Sequence, residues 1–376
     1  MALSAPRGLS ENEVEPAIAL INQVFRGDAD QGPTMAQEFP ALLCNANREN
    51  MRAIFDEQVP ISVVSFYTAQ LLLYGCRLNG AFVGAVTTHP GYRHRGLASM
   101  LLREGEAKMR SEGADIGFIS GTSLVYQRQG YRPILKYNHF IMHQLSEQGP
   151  EITTRKAVEE DFAGIRRLYR EDTCRFIRSS KEFEKLYAGT MVKTSRRKSD
   201  CMVAECGGNL VAYAILAHNS DDEVVLTECA GNRCMVFWML QKFMHCHNVQ
   251  HIQGYLALND PLSGVLKVHF QLCEPQLIDH TVRILNFPSL MEKLRPLFEE
   301  IVSEKNEIPA FSAQFGKCLL QLGEETLEVS EEEATDMVFG QGYNAVKQLK
   351  KLPALSGFVK AVFPVALPWL GGLNYI

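Results

Sequence analysis

The sequence predicts an α/β (α+β) chain, with two similar mixed-sheet folds in tandem and a smaller α/β region after them. Three observations predict it. A long strand, a short loop and a glycine-tipped helix stand together between positions 76 and 112. The same order of elements restarts after the polar run Ser146-Glu147-Gln148-Gly149-Pro150, and a further strand, helix and hairpin open near Asp279. At 376 residues the chain exceeds one ordinary core, so several domains are expected, with boundaries at 1–148, 151–278 and 279–376.

Within the first region, Val14, Ile18, Ile21, Val24 and Phe25 recur at helical spacing over 13–25. A polar, turn-rich stretch, 26–33, follows. Strand-like runs cover 51–55, 61–74 and 76–88, with turn signals at Asp56-Glu57 and Asn79-Gly80. Met100, Leu101, Ala107 and Met109 mark a helix over 96–112, and 116–120 is a buried-type strand. The second region begins with a short strand at 151–157 and a helix at 161–170 carrying Ile165, Leu168 and Tyr169. Strands at 202–205 and 210–216 flank the hairpin signal Gly207-Gly208-Asn209. A helix at 233–245 and a strand at 252–258 complete the echo, a duplication of fold with little duplication of sequence. In the third region a strand spans 281–285, and a helix spans 288–302 with Pro288 near its start. A hairpin turns around Gly323-Glu324-Glu325, a short helix begins at Glu331, and the apolar tail 363–376 is predicted to be packed.

Composition excludes several functions. A net charge of −5 with dispersed Lys and Arg argues against nucleic acid as the main partner and suits a cationic substrate. The opening residues contain Glu11, Glu13 and Glu15 and no apolar core of a leader, and no window is long and apolar enough for a membrane span. The most hydrophobic stretch, 357–373, is interrupted by Lys360, Pro364 and Pro368. The chain therefore reads as cytoplasmic. Its ten cysteines show no regular framework and read as thiols. No metal is expected: Cys201 with Cys206, and Cys234 with His245-Cys246-His247, lack zinc spacing, and the last three side chains diverge around a helix.

The informative stretch is Val86-Thr87-Thr88-His89-Pro90-Gly91-Tyr92-Arg93-His94-Arg95-Gly96-Leu97-Ala98-Ser99. A strand ends, a loop turns, and a helix starts on small residues. Backbone N–H groups at such a start are unpaired, and with the helix dipole they favour a diphosphate. Gly96 and Ala98 keep the approach open, and Arg93 and Arg95 add positive charge.

Arg93-x-x-Gly96-x-Ala98 resembles the central signature of the GCN5-related N-acetyltransferase (GNAT) family. Tyr126-Gln127-Arg128-Gln129-Gly130-Tyr131, at the proper distance, resembles the second signature. The resemblance implies acetyl-CoA as co-substrate. It implies that Val86, Thr87 and Thr88 line the pantetheine arm, with the backbone around Val86 and Thr88 pairing with it. Amides of Arg93, His94, Arg95, Gly96, Leu97, Ala98 and Ser99 would hold the pyrophosphate. Tyr126 would protonate the departing thiolate, which a phenol of reference pKa about 10 can do. His89 and His94 fall at the mouth of that site. The second region has Leu226-Thr227-Glu228-Cys229-Ala230-Gly231-Asn232-Arg233 at the matching place, without the signature, and is expected to bind no CoA.

Many relatives carry a Glu on the strand before the signature, but 77–88 holds no carboxylate. The whole chain also resembles the enhanced-intracellular-survival class of aminoglycoside acetyltransferases, with a degenerate second acetyltransferase fold and a sterol-carrier-like third domain. That resemblance implies an assembly of several copies, and the terminal carboxylate, here of Ile376, as base. Asp28, Asp30 and Glu38 lie in the acceptor-shaping region and would suit a polyamine, an aminoglycoside or a lysine side chain. Two other classes stay open: a non-catalytic module that binds acetyl-CoA, and a lipid or acyl carrier built on the third region.

Overall fold

A computed structural model describes residues 3–27, 32–147, 149–194, 197–218, 223–269, 272–302 and 307–375. Two compact units divide the chain: 1–135 with 277–365, and 136–276 with 366–375. No helix of the described residues is long and apolar enough to cross a membrane.

The first unit begins with β1 (Arg7–Gly8), α1 (Val14–Arg26) and α2 (Met35–Glu38), followed by β2 (Met51–Asp56), β3 (Val59–Leu73) and β4 (Cys76–Thr88). After these come α3 (Leu97–Ser111), β5 (Ile116–Ser120) and α4 (Leu124–Gln127). The strands β1 to β4 are antiparallel neighbours, and β4 runs parallel to β5. The crossover helix α3 buries Leu97, Leu101, Leu102 and Met109 against Ile54, Val64, Phe66 and Val83 of the sheet. The helices and strands foreseen for this stretch form, with one correction. Asn79-Gly80 lies inside β4, and the turn between β3 and β4 is Tyr74-Gly75, both with positive φ (49° and 88°). Asn79 has another use: its N–H donates to the buried Asp115 carboxylate (2.8 Å) and its side chain donates to Gly113 O (3.0 Å).

The second unit contains β6 (Lys136–His143), β7 (Thr153–Lys156), α5 (Phe162–Arg170), β8 (Cys174–Ile177), α6 (Ser180–Thr190), β9 (Lys198–Cys206) and β10 (Asn209–His218). It continues through β11 (Val224–Gly231), α7 (Arg233–His247), β12 (His251–Leu256), α8 (Leu262–Val268) and β13 (Leu272–Leu277). Its sheet runs β13-β6-β12-β11-β10-β9-β7, with β11 and β12 parallel around α7. This repeats the β3-β4-α3-β5 arrangement, as the sequence echo predicts. The strand 136–143 and the elements at 174–190 have no counterpart in the sequence reading.

The chain then returns to the first unit with β14 (His280–Ile284), α9 (Phe287–Ile301), β15 (Ala310–Gln314), β16 (Lys317–Leu322), β17 (Glu325–Ser330), α10 (Glu331–Phe339) and α11 (Pro353–Val362). β14 pairs antiparallel with β5, while β15, β16 and β17 form a separate small sheet. Each unit thus takes the strand beside its parallel pair from another part of the chain, β14 beside β5 and β6 beside β12. The compact units therefore divide the chain differently from the linear boundaries near 148 and 279. Phenylalanines fill the interior of the returning segment: Phe298 meets Phe311, Phe358 and Phe363 with ring centroids 5.3–6.0 Å apart.

Candidate active site

The site in the first unit is opened by an irregularity in β4. Gly80 to Val83 pair with Ile116 to Ile119, and the parallel ladder then stops. Against β3 the register passes from Ser65↔Gly84 to Val63↔Thr87, so β4 carries one extra residue. Ala85 there has φ +50°. Such a bulge bends the strand away from its neighbour and frees backbone groups. Val86 and Thr88 stay partly exposed beyond it. Thr87 is buried: its hydroxyl donates to Ala85 O (3.1 Å), and its carbonyl accepts from Ser62 Oγ (2.9 Å). Its backbone neighbours are therefore better placed than its side chain for a ligand. Ser62, 2.8 Å from Thr88 Oγ1, braces the strand end and carries no signal in the linear sequence.

The loop after β4 is held from below. His89 N–H donates to Ile61 O (2.8 Å), and a short 3-10 turn follows at Pro90–Tyr92. Tyr92 donates to Asp56 (2.5 Å), which keeps its phenol protonated above the ordinary range, and the Arg95 guanidinium lies 4.9 Å over the Tyr92 ring. Arg93, His94, Arg95 and Gly96 are exposed. His94 (φ 64°) and Gly96 (φ 75°) are left-handed and turn the backbone into the start of α3. Nothing lies within 4 Å of a Cβ built on Gly96, so the conformation, not space, calls for glycine there. The first helical bond of α3 is Met100 N to Gly96 O (3.0 Å). The N–H groups of Leu97, Ala98 and Ser99 thus precede the ladder and have no acceptor among the described residues.

Tyr126 sits on α4, half-buried, with its ring against Gly121 and the core of the unit. Burial, and then the charge of Asp279, push its phenol above 10. Asp279 accepts from Thr122 Oγ1 (2.9 Å), and its carbonyl accepts from Gly121 N–H (2.8 Å). His280 follows opposite Ser120, with burial pulling its pKa to about 4. Asp279 and His280 come from β14, far along the chain, and only the sheet brings them beside β5. An open groove of about 480 Å³ flanks α3, and Arg103 and Arg128 are its exposed cations.

Other expected site residues fall outside this constellation. Glu38 forms an ion pair with Arg26, both largely buried, so its charge is already answered within the chain. Asp28, Asp30 and Ile376 lie outside the described residues. Among the described residues no group of three or more His, Cys, Asp and Glu is placed to hold a metal. His245 instead contacts Leu145 O (2.9 Å), and His247 packs on Phe243 (4.4 Å between rings).

In the second unit α7 starts differently. The Asn232 side chain accepts from the amides of Cys234 (3.0 Å) and Met235 (3.2 Å), and Arg233 is bound by Asp172 and Asp260. Two of the amides at this helix start are therefore satisfied by a side-chain cap, unlike those of α3.

The acetyltransferase (GNAT) domain model matches residues 5–134, the segment that contains the bulged strand, the open amides and Tyr126. The chain carries a GNAT acetyltransferase domain. Among solved structures, the acetyltransferase is similar to a probable N-acyltransferase from Enterococcus faecalis V583, with 13% identity, TM-score 0.69 and 98% of each chain covered. It is also similar to a GCN5-related N-acetyltransferase from Anabaena variabilis (11%, TM-score 0.68, 100% of each chain). A third is Eis1 from Mycobacterium abscessus (12%, TM-score 0.65, 99% of this chain and 100% of that one). At these identities the likeness is one of fold. The acetyltransferase has no sequence match among curated proteins.

Proposed function

We propose that the acetyltransferase moves the acetyl group of acetyl-CoA to a primary amine of a small cationic acceptor, of aminoglycoside, polyamine or lysine type. The observation that carries this reading is the run of amides without acceptors at the start of α3, together with the bulge near the end of β4. Those amides suit the pyrophosphate, the backbone at Val86 and Thr88 suits the pantetheine arm, and Arg103 and Arg128 offer charge to the phosphorylated ribose. Asp28 and Asp30 support the cationic acceptor by their charge in the sequence. Ten cysteines, none in a disulfide among the described residues, fit a reducing cytoplasm, and a homo-oligomer is part of the same reading.

In this mechanism the amine nitrogen bonds to the thioester carbon and the carbon–sulfur bond breaks. Tyr126 gives its phenolic proton to the leaving thiolate, and the Ile376 carboxylate takes the proton lost by the amine. The raised pKa keeps Tyr126 in the donor form throughout the neutral range.

The test is release of free CoA thiol from acetyl-CoA against aminoglycosides, polyamines, lysine peptides and arylamines. Turnover is expected with at least one class. Tyr126→Phe should lower kcat by about a hundredfold or more. Deletion of Ile376 should abolish turnover while acetyl-CoA binding persists. Silence across the panel with intact binding would instead support an acetyl-CoA-binding regulatory module.

A further inference from the structure

The loop between β4 and α3 is held mostly by short bonds within itself. Gly91 N–H donates to His89 Nδ1 (3.2 Å), Tyr92 N–H to His89 O (2.9 Å), Arg93 N–H to Pro90 O (3.3 Å) and Arg95 Nη2 to Gly91 O (3.4 Å). Among the described residues, two hydrogen bonds of 89–95 reach β2 or β3. The His89 N–H donates to Ile61 O on β3, which fixes where the loop starts. The Tyr92 phenol donates to Asp56 Oδ2 at the end of β2 (2.5 Å), which fixes the loop four residues before Gly96.

Asp56 is committed to this bond. Its other oxygen, Oδ1, is buried and accepts from no donor among the described residues. The carboxylate thus depends on the phenol, and removing that donor would leave both oxygens unanswered. The Tyr92 ring packs on the apolar core of the unit and meets the His89 ring edge-on (5.7 Å). The Arg95 guanidinium lies over the same ring, 4.9 Å from its centroid. Stacking uses the face of a guanidinium and leaves its planar edge of N–H donors for an anion. A phenol that donates to a carboxylate is richer in electrons, so the bond to Asp56 also strengthens the hold of the ring on Arg95.

We propose that Asp56 and Tyr92 are positioning residues for the cofactor's diphosphate. Asp56 fixes the phenol, the phenol pins the loop that leads into α3, and the ring holds Arg95 beside it. The amides of 97–99 and one guanidinium are then in place before the cofactor arrives, which removes an ordering cost from binding. The effect falls on affinity for the donor and not on proton transfer. It rests on the reading of the α3 start as the diphosphate site.

The test uses the full chain and two donors, acetyl-CoA and acetyl-pantetheine, the second carrying the same thioester without a diphosphate. Displacement titrations give the dissociation constants, and hydrogen exchange reports on the amides of 92–99. The unsubstituted chain should favour acetyl-CoA. Tyr92→Phe keeps the ring but loses the bond. It should weaken acetyl-CoA by about tenfold, leave acetyl-pantetheine unchanged and speed the exchange of 92–99. Asp56→Ala breaks the bond from the other side, should Tyr92→Phe fail to fold, and is expected to match it. The double variant should bind no more weakly than either single one. Asp56→Asn, whose amide oxygen still accepts from the phenol, should stay within about twofold of the unsubstituted chain. Unchanged affinity for acetyl-CoA in Tyr92→Phe and Asp56→Ala would overturn the proposal, as would unchanged exchange of 92–99. Equal weakening of both donors would overturn it too, because that marks a general distortion of the fold. If the unsubstituted chain binds the two donors alike, the diphosphate reading itself fails, and the positioning role goes with it.

Discussion

In the proposed site, one backbone angle at Gly96 sets how the amides of α3 would face the phosphate. Its φ of +75° is left-handed, and a Cβ there would touch nothing, so a side chain is penalised through the backbone alone. That penalty is about 1–2 kcal/mol. If Gly96→Ala relaxes the loop instead of bearing the strain, the amides turn away from the phosphate and binding weakens by about tenfold. The expected outcome is a raised KM for acetyl-CoA with kcat at saturation nearly unchanged, read from initial rates. An unchanged KM would mean that these amides do not hold the pyrophosphate. In the proposed mechanism Tyr126 would act through its proton instead: burial and then Asp279 raise its pKa above the ordinary 10, so no fall in rate below pH 10 should trace to it.

Between elements, the two crossover helices differ in one capping residue. α3 begins at a bare left-handed glycine, whereas α7 begins at Asn232, whose side-chain oxygen accepts from two amides. The strand β14 adds a titration. Burial lowers the pKa of His280 from 6.5 to about 4, with Asp279 partly opposing the shift. A histidine depressed in the fold binds its proton more readily once unfolded. It therefore contributes stability above pH 6.5 that is lost as pH falls toward 4. The melting temperature should drop across that window, and His280→Gln should flatten the drop. A profile identical to that of the unsubstituted chain would assign the acid loss to other groups.

For the molecule as a whole, two copies of one fold are finished differently. The first leaves its helix start and its bulged strand open; the second has an asparagine cap on the one and the C-terminal segment on the other. One acyl-CoA per chain is the expected stoichiometry in a calorimetric titration. Removing the cap by Asn232→Ala should cost about 1 kcal/mol of stability without creating a second site. Two equivalents bound would overturn the assignment of the second fold.

Most elements, and the turn into α3, were legible in the sequence because they rest on local patterns. Helical spacing over 13–25 became α1, the run 76–88 became β4, and glycine with small residues at 96–98 became an uncapped helix start. The apolar tail was also legible as packed, since such residues favour burial wherever they end. Which strands lie side by side was settled by the folded chain. β6 and β14 each join a sheet away from the sequence that precedes them, a choice made by burial across a sheet face that no local period encodes. Asn79-Gly80 reads as a turn until the distant Asp115 draws it into a strand. Glu38 looks free until Arg26 meets it. Glu228, unremarkable in sequence, becomes the anchor of the C-terminus because Arg178, Tyr213 and Leu373 converge on one carboxylate that water does not reach.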